Sequence, residues 1–152
     1  MKTVTLLIFL LTSFVGFSQD LAWTHIEDLE DSMSVAPKHI MIKIETKWCG
    51  YCKMMDAKVF PTKKVTKELN ENYYYVKLDA EAKETITFND TTYKYVLYNG
   101  GRGVQTLSQK LASQNGKMQY PTIVKLDENY QVTDLLDGYL NKSNFYYWLK
   151  QD

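Results

Sequence analysis

Cysteine, histidine and proline are scarce in this chain of 152 residues, which has two, two and three of them. The two histidines, His25 and His39, stand singly and lack the paired spacing of a structural zinc site, which needs four ligands. Covalent haem attachment wants a histidine directly after the second cysteine, and Lys53 occupies that place. Charge of one sign is not in excess either, because 18 basic residues face 18 acidic ones. The balance provides no basic field for nucleic acid and none for an anionic membrane surface. Internal repeats, low-complexity tracts and Pro/Ser-rich linkers are lacking as well. Gly100-Gly101-Arg102-Gly103 does not run into the Gly-Lys-Ser/Thr of a phosphate loop, so a turn is expected there rather than a nucleotide site.

A membrane-spanning run is also missing. The nearest approach is Val4 to Leu11, broken by Thr12 and Ser13 and short of the about 20 apolar residues a span requires. What surrounds it is informative: Met1-Lys2 gives a positive start, and Gly16-Phe17-Ser18 places small residues where a signal peptidase reads. Residues 1–18 are therefore expected to be a cleaved signal peptide, with an exported product, periplasmic or secreted, and no membrane anchor after cleavage. No cysteine follows the cleavage region, which argues against a lipid-modified N-terminus. The remainder, residues 19–152, has the length of one domain with one sizeable core.

Along that remainder the apolar period alternates between two and about 3.6, the mark of a mixed α/β domain. His39 to Glu45 (HIMIKIE) and Tyr73 to Asp79 (YYYVKLD) read as strands. Between them, Cys52, Met55, Val59 and Phe60 share a helix face that ends at Pro61, and Thr62 is placed to cap a second helix presenting Val65 and Leu69. Ile86 to Val96 reads as a hairpin about Asn89-Asp90, and Val104, Leu107 and Leu111 as a helix that Asn115-Gly116 ends. Thr122 to Leu126 and Val132 to Leu136 read as an antiparallel pair, followed by a helix capped at Asn141 or Ser143 with Phe145, Trp148 and Leu149 inward.

Both cysteines lie in Lys47-Trp48-Cys49-Gly50-Tyr51-Cys52-Lys53, just after the first strand. A disulfide across so short a loop removes little entropy from the unfolded chain, so it makes a weak staple. Redox cycling suits the spacing better. A pair at i and i+3 on a helix N-terminus brings the first sulfur against unpaired N–H groups, which stabilise thiolate and lower its pKa below the free value of about 8.5. Cys49 is then the attacking thiolate, and Cys52, on the apolar face, the buried resolving thiol. Gly50 keeps the turn tight and Trp48 shelters the sulfur. Two thiolates would equally suit copper(I), so a copper chaperone remains an alternative, although no histidine is near. Met54 and Met55 read more simply as core filling than as metal ligands.

The motif W-C-x-x-C-K after a strand, then Tyr120-Pro121-Thr122 opening a later strand and a β-β-α ending, resembles the thioredoxin-like family, especially its exported bacterial members. The likeness extends over most of residues 38–152 and implies a thioredoxin fold: a central mixed β-sheet flanked by helices, here with a hairpin-plus-helix insertion at about 84–117 before the proline strand. It implies thiol–disulfide exchange with protein thiols and disulfides, no cofactor and no metal, and a membrane or soluble redox partner upstream. Carried over, Pro121 is cis and forms the substrate platform with Tyr120 and Thr122, beside Trp48, Gly50 and Tyr51. A non-catalytic binding module with the 84–117 insertion as its contact surface is the other alternative.

Two positions depart from the family. Thioredoxins commonly carry a buried aspartate six positions before the first cysteine, as a proton relay, and Lys43 stands there. Lys43 and Glu45 lie two apart on a strand, hence on one face, either beneath the cysteine pair or turned to solvent. Lys43, Glu45 and Lys53 are the candidate pKa-tuning charges. The second departure is the insertion itself, whose Tyr93, Tyr95 and Tyr98 are expected to pack within a hairpin.

Overall fold

A computed structural model describes residues 20–98, 100–113 and 118–151. The signal-peptide expectation for residues 1–18 and the helix stop at Asn115-Gly116 fall outside the described residues. The elements are β1 (Trp23–Thr24), a 3-10 turn (Ile26–Asp28), α1 (Leu29–Val35), β2 (His39–Glu45), α2 (Gly50–Lys58), α3 (Lys63–Asn72) and β3 (Tyr73–Asp79). Then come β4 (Ile86–Phe88), β5 (Thr91–Tyr93), β6 (Tyr95–Leu97), β7 (Gly103–Gln105), α4 (Thr106–Ala112), β8 (Thr122–Leu126), β9 (Val132–Asp137) and α5 (Lys142–Leu149). Among the described residues no helix is long and apolar enough to cross a membrane.

Five strands form one sheet in the order β1-β3-β2-β8-β9. β2 lies at its centre, parallel to β3 through the α2–α3 crossover and antiparallel to β8. Both faces of β2 are covered, so its sequence is a near-continuous apolar run rather than an alternation. The alternation decides which side each residue serves. Ile40, Ile42 and Ile44 join Val76, Leu78, Leu107 and Leu111 in one core; Met41 joins Met55, Val59, Phe60, Leu69, Phe145 and Leu149 in the other. Lys43 and Glu45 share the Met41 face, beneath α2.

Helix boundaries follow local chemistry. Cys49 is the N-cap of α2, which ends three residues short of Pro61. Thr62 does occupy the N-cap of α3, but its hydroxyl donates backwards to the Val59 carbonyl at 2.7 Å instead of accepting from the helix. Asn141, not Ser143, caps α5, accepting from the N–H groups of Ser143 and Asn144 at 3.1 and 3.0 Å. Within α5, Phe145 and Leu149 are buried and Trp148 only partly.

The insertion holds more strand than the sequence pattern announces. Asn89 and Asp90 both take positive φ, as a two-residue hairpin turn requires, and close β4 on β5. Tyr95 to Leu97 then leaves that hairpin and pairs with Gly103 to Gln105 as a second one. Gly103, expected in a turn leading to a helix, is instead in a strand paired with Leu97, where the Tyr95 ring lies over it and an added Cβ would come within 2.6 Å of the Val96 carbonyl oxygen. Val104 therefore belongs to β7, and α4 starts at Thr106. The segment before β2, for which the pattern gave no element, contributes β1 at the sheet edge and α1 over the first core.

Candidate active site

Cys49 and Cys52 form a disulfide at the start of α2, with Cα atoms 5.3 Å apart. Because Cys49 caps the helix, its sulfur is turned toward the first-turn amides and accepts from the Cys52 N–H at 3.1 Å. The Cys49 N–H in turn donates to the Thr46 carbonyl at 3.1 Å, which anchors the loop from β2. Cys52 is buried, as its place on the apolar face of the helix leads one to expect, and in this oxidised state Cys49 is buried with it. Cys49 is 4% exposed and Cys52 1%. Gly50, the first residue of α2, is exposed.

Around this buried bond the surface is aromatic. Trp48 is 66% and Tyr51 61% exposed. Trp48 stands edge-to-face on Tyr120 with ring centroids 5.7 Å apart, and Tyr51 lies 6.1 Å from Tyr139. Tyr120 precedes Pro121 across a cis peptide bond. The Pro121 carbonyl accepts from the Gly138 N–H at 2.7 Å, and the Thr122 hydroxyl lies 2.8 Å from the Gln119 carbonyl and 3.0 Å from the Asp137 carboxylate. The structure thus joins Trp48, beside Cys49, to Tyr120 of the proline loop, and Tyr51 to Tyr139, while Pro121 and Thr122 are themselves buried. Lys53 is exposed on α2.

Two carboxylates at the end of β3 join this rim. The Trp48 indole N–H donates to Glu81 at 3.1 Å, and Asp79 accepts from the Glu81 N–H at 2.9 Å. Half-burial first, then the charges of Glu81 and Asp79, push the Tyr120 hydroxyl pKa above its ordinary 10.0. Nothing in the sequence pointed to Glu81, because its indole partner lies 33 residues away.

Beneath α2 lies the departure at Lys43. Its side chain is wholly buried, so it does not point to solvent. It pairs with Glu45 on its own strand and donates to Asp56 on α2 at 2.7 Å, while Lys77 from β3 reaches the other Asp56 oxygen at 3.2 Å. The Lys43 ammonium also lies 5.5 Å from the Phe60 ring centre. Asp56 is a residue that sequence reading missed, though its place four residues after Cys52 on a helix was a signal. Tyr75 Oη is buried here without a hydrogen-bond partner among the described residues, and burial, then Asp56, then Glu45 raise its pKa well above 10.0. Among the described residues no group of three or more His, Cys, Asp or Glu side chains converges as a metal site would require.

Comparison with known proteins agrees with this geometry. A thioredoxin-like domain family model matches residues 28–151. No curated protein is recognisably similar in sequence. Among solved structures, a thioredoxin from Thermus thermophilus is 17% identical with a TM-score of 0.59, covering 86% of this chain and 85% of its own. A DsbH oxidoreductase is 15% identical with a TM-score of 0.56 over 86% of this chain and 83% of its own. The DsbD C-terminal domain of Neisseria meningitidis, in its reduced form, is 16% identical with a TM-score of 0.55 over 84% and 98%. At such identities the likeness speaks for the fold, and the site chemistry comes from the Cys49–Cys52 disulfide of this chain. The chain belongs to the thioredoxin-like family and is a thiol–disulfide oxidoreductase.

Proposed function

We propose that the protein is exported and acts as a reductase of protein disulfides, recharged by a membrane or soluble dithiol partner. The observation that carries the reading is the Cys52 N–H held 3.1 Å from the Cys49 sulfur at a helix start. The amide that contacts sulfur in the disulfide is in place to stabilise thiolate once the bond opens. Cys49 then attacks one sulfur of the substrate disulfide, and Cys52 attacks Cys49 to release the reduced substrate. The extended substrate segment lies against Tyr120, Pro121 and Thr122, flanked by Trp48, Gly50 and Tyr51. Support for export comes from the signal-like residues 1–18, and support for the reducing direction from Gly50, which reducing thioredoxins share.

Substitution of each cysteine tests the exchange. Cys49→Ser is expected to abolish insulin reduction, and Cys52→Ser to accumulate mixed disulfides visible on non-reducing gels. Wild-type activity in Cys49→Ser would remove the assignment of the nucleophile. Equilibration against glutathione tests direction: a potential of about −270 mV fits a reductant and one of about −120 mV an oxidant.

A further inference from the structure

The charges beneath α2 form a closed set. Lys43 and Glu45 come from β2, Lys77 from β3 and Asp56 from α2, so two ammonium groups face two carboxylates. Asp56 and Cys52 are four residues apart in α2 and share a face, which sets their Cβ atoms about 5–6 Å apart. Tyr75 Oη faces the same carboxylates, and a cleft of about 360 Å³ lined by Asp20, Trp23, Tyr75 and Lys77 exposes Asp56 to solvent. The two sulfurs therefore meet opposite surroundings: amide N–H groups at Cys49, a carboxylate one turn along at Cys52.

We infer that Asp56 is a positioning residue for the exchange: held by Lys43 and Lys77 one turn beyond Cys52, its carboxylate keeps reduced Cys52 a thiol and so assigns the first attack to Cys49. A negative charge close by disfavours a second one on sulfur, and Cys52, 1% exposed, has little solvent around it to screen that repulsion. Lys43 and Lys77 offset this only in part, because the Lys43 charge is divided between Asp56 and Glu45 and Lys77 is partly exposed to solvent. The inference rests on the proposed dithiol exchange and adds the residue that sets the order of its steps. Cys49 thiolate bonds to a substrate sulfur, the substrate S–S bond breaks, and the leaving thiolate takes a proton from water. Cys52 then releases its proton to water and bonds to Cys49, and the second substrate sulfur leaves. Two electrons pass from the protein to the substrate.

Titration of Cys52 alone reads this without a redox partner. In the full chain carrying Cys49→Ser, the rate of Cys52 alkylation by iodoacetamide against pH gives the thiolate midpoint. Asp56→Asn should lower that midpoint by about one unit, Asp56→Glu should restore it, and Lys43→Met should raise it. Lys77→Gln, at a partly exposed member of the set, should raise it too and does not disturb the core. Loosening of α2 would shift every variant in one direction, so opposite signs separate charge from structure. Midpoints that stay put, or move together, overturn the inference. A wild-type chain inactive on protein disulfides would instead remove the functional proposal while leaving these shifts as predicted.

Discussion

Trp48 binds two partners that belong to different parts of the fold: its indole N–H donates to Glu81 after β3 at 3.1 Å, and its ring stands on Tyr120 before β8. One exposed side chain thus ties the helix start to the proline loop. Glu81→Ala removes the acceptor and frees the indole, and a net hydrogen-bond contribution of about 1 kcal/mol corresponds to about a fivefold rise in KM for a protein disulfide with little change in kcat. Glu81→Gln keeps an acceptor oxygen and is expected to recover most of the loss. Steady-state kinetics with both variants, alongside Trp48 fluorescence, check this. Equal effects from Ala and Gln would assign the role to charge instead.

Lys43 supplies a second prediction, on the potential of the pair. Its buried ammonium adds to the helix terminus in favouring thiolate at Cys49, so Lys43→Met should raise the Cys49 pKa and lower the reduction potential, and Glu45→Gln should do the reverse. Thiolate absorbance near about 240 nm against pH reads the first quantity and glutathione equilibration the second. Removing Lys43 also leaves Glu45 without its partner and Asp56 with Lys77 alone, so Lys43→Met should lower stability in urea unfolding. Unchanged potentials in both variants would separate the ionic set from the sulfurs.

The elements that carry the site were legible because each is written locally. The apolar run at His39 to Glu45, the break at Pro61 and the Tyr120-Pro121-Thr122 stretch each fix an element by propensity or by a backbone rule. What escaped the sequence depends on partners far along the chain. Whether Lys43 lies inside or outside is decided by Asp56 arriving from the next helix, and a period of two gives the face but not what covers it. Likewise, the three β-prone residues of β6 could extend one hairpin or open another, and pairing with Gly103 to Gln105 chose the second.

That second hairpin makes its own prediction. Gly103 faces the Tyr95 ring so closely that an added methyl would meet both the ring and the Val96 carbonyl. Gly103→Ala must push strand β6 off β7, and overpacking of this kind costs about 1–3 kcal/mol. Urea unfolding should show the loss, and hydrogen exchange should place the opening at Tyr95 to Leu97. Since Gln105 bonds back to the Ala80 carbonyl at 2.7 Å, next to Glu81, activity should fall less than stability. Full retention of stability would mean that the hairpin yields without strain.

Tyr75 gives the last prediction, in the alkaline range. Burial, then Asp56 and Glu45, all oppose its ionisation, so its folded pKa stands well above the unfolded value of 10.0. A group with a raised folded pKa keeps its full contribution below the unfolded value and loses it as pH rises toward the folded one. Above about pH 10 the unfolded chain releases this proton and the folded chain does not, so stability should fall by about 1.4 kcal/mol per pH unit on account of Tyr75 alone. Tyr75→Phe removes that share. It also removes a buried hydroxyl with no partner among the described residues, and should raise stability at pH 7 by about 1 kcal/mol. Urea midpoints at pH 7 and from 10 to about 11.5 compare the two chains. An equal alkaline slope in Tyr75→Phe and wild type would show that the hydroxyl ionises as freely inside the fold as outside it.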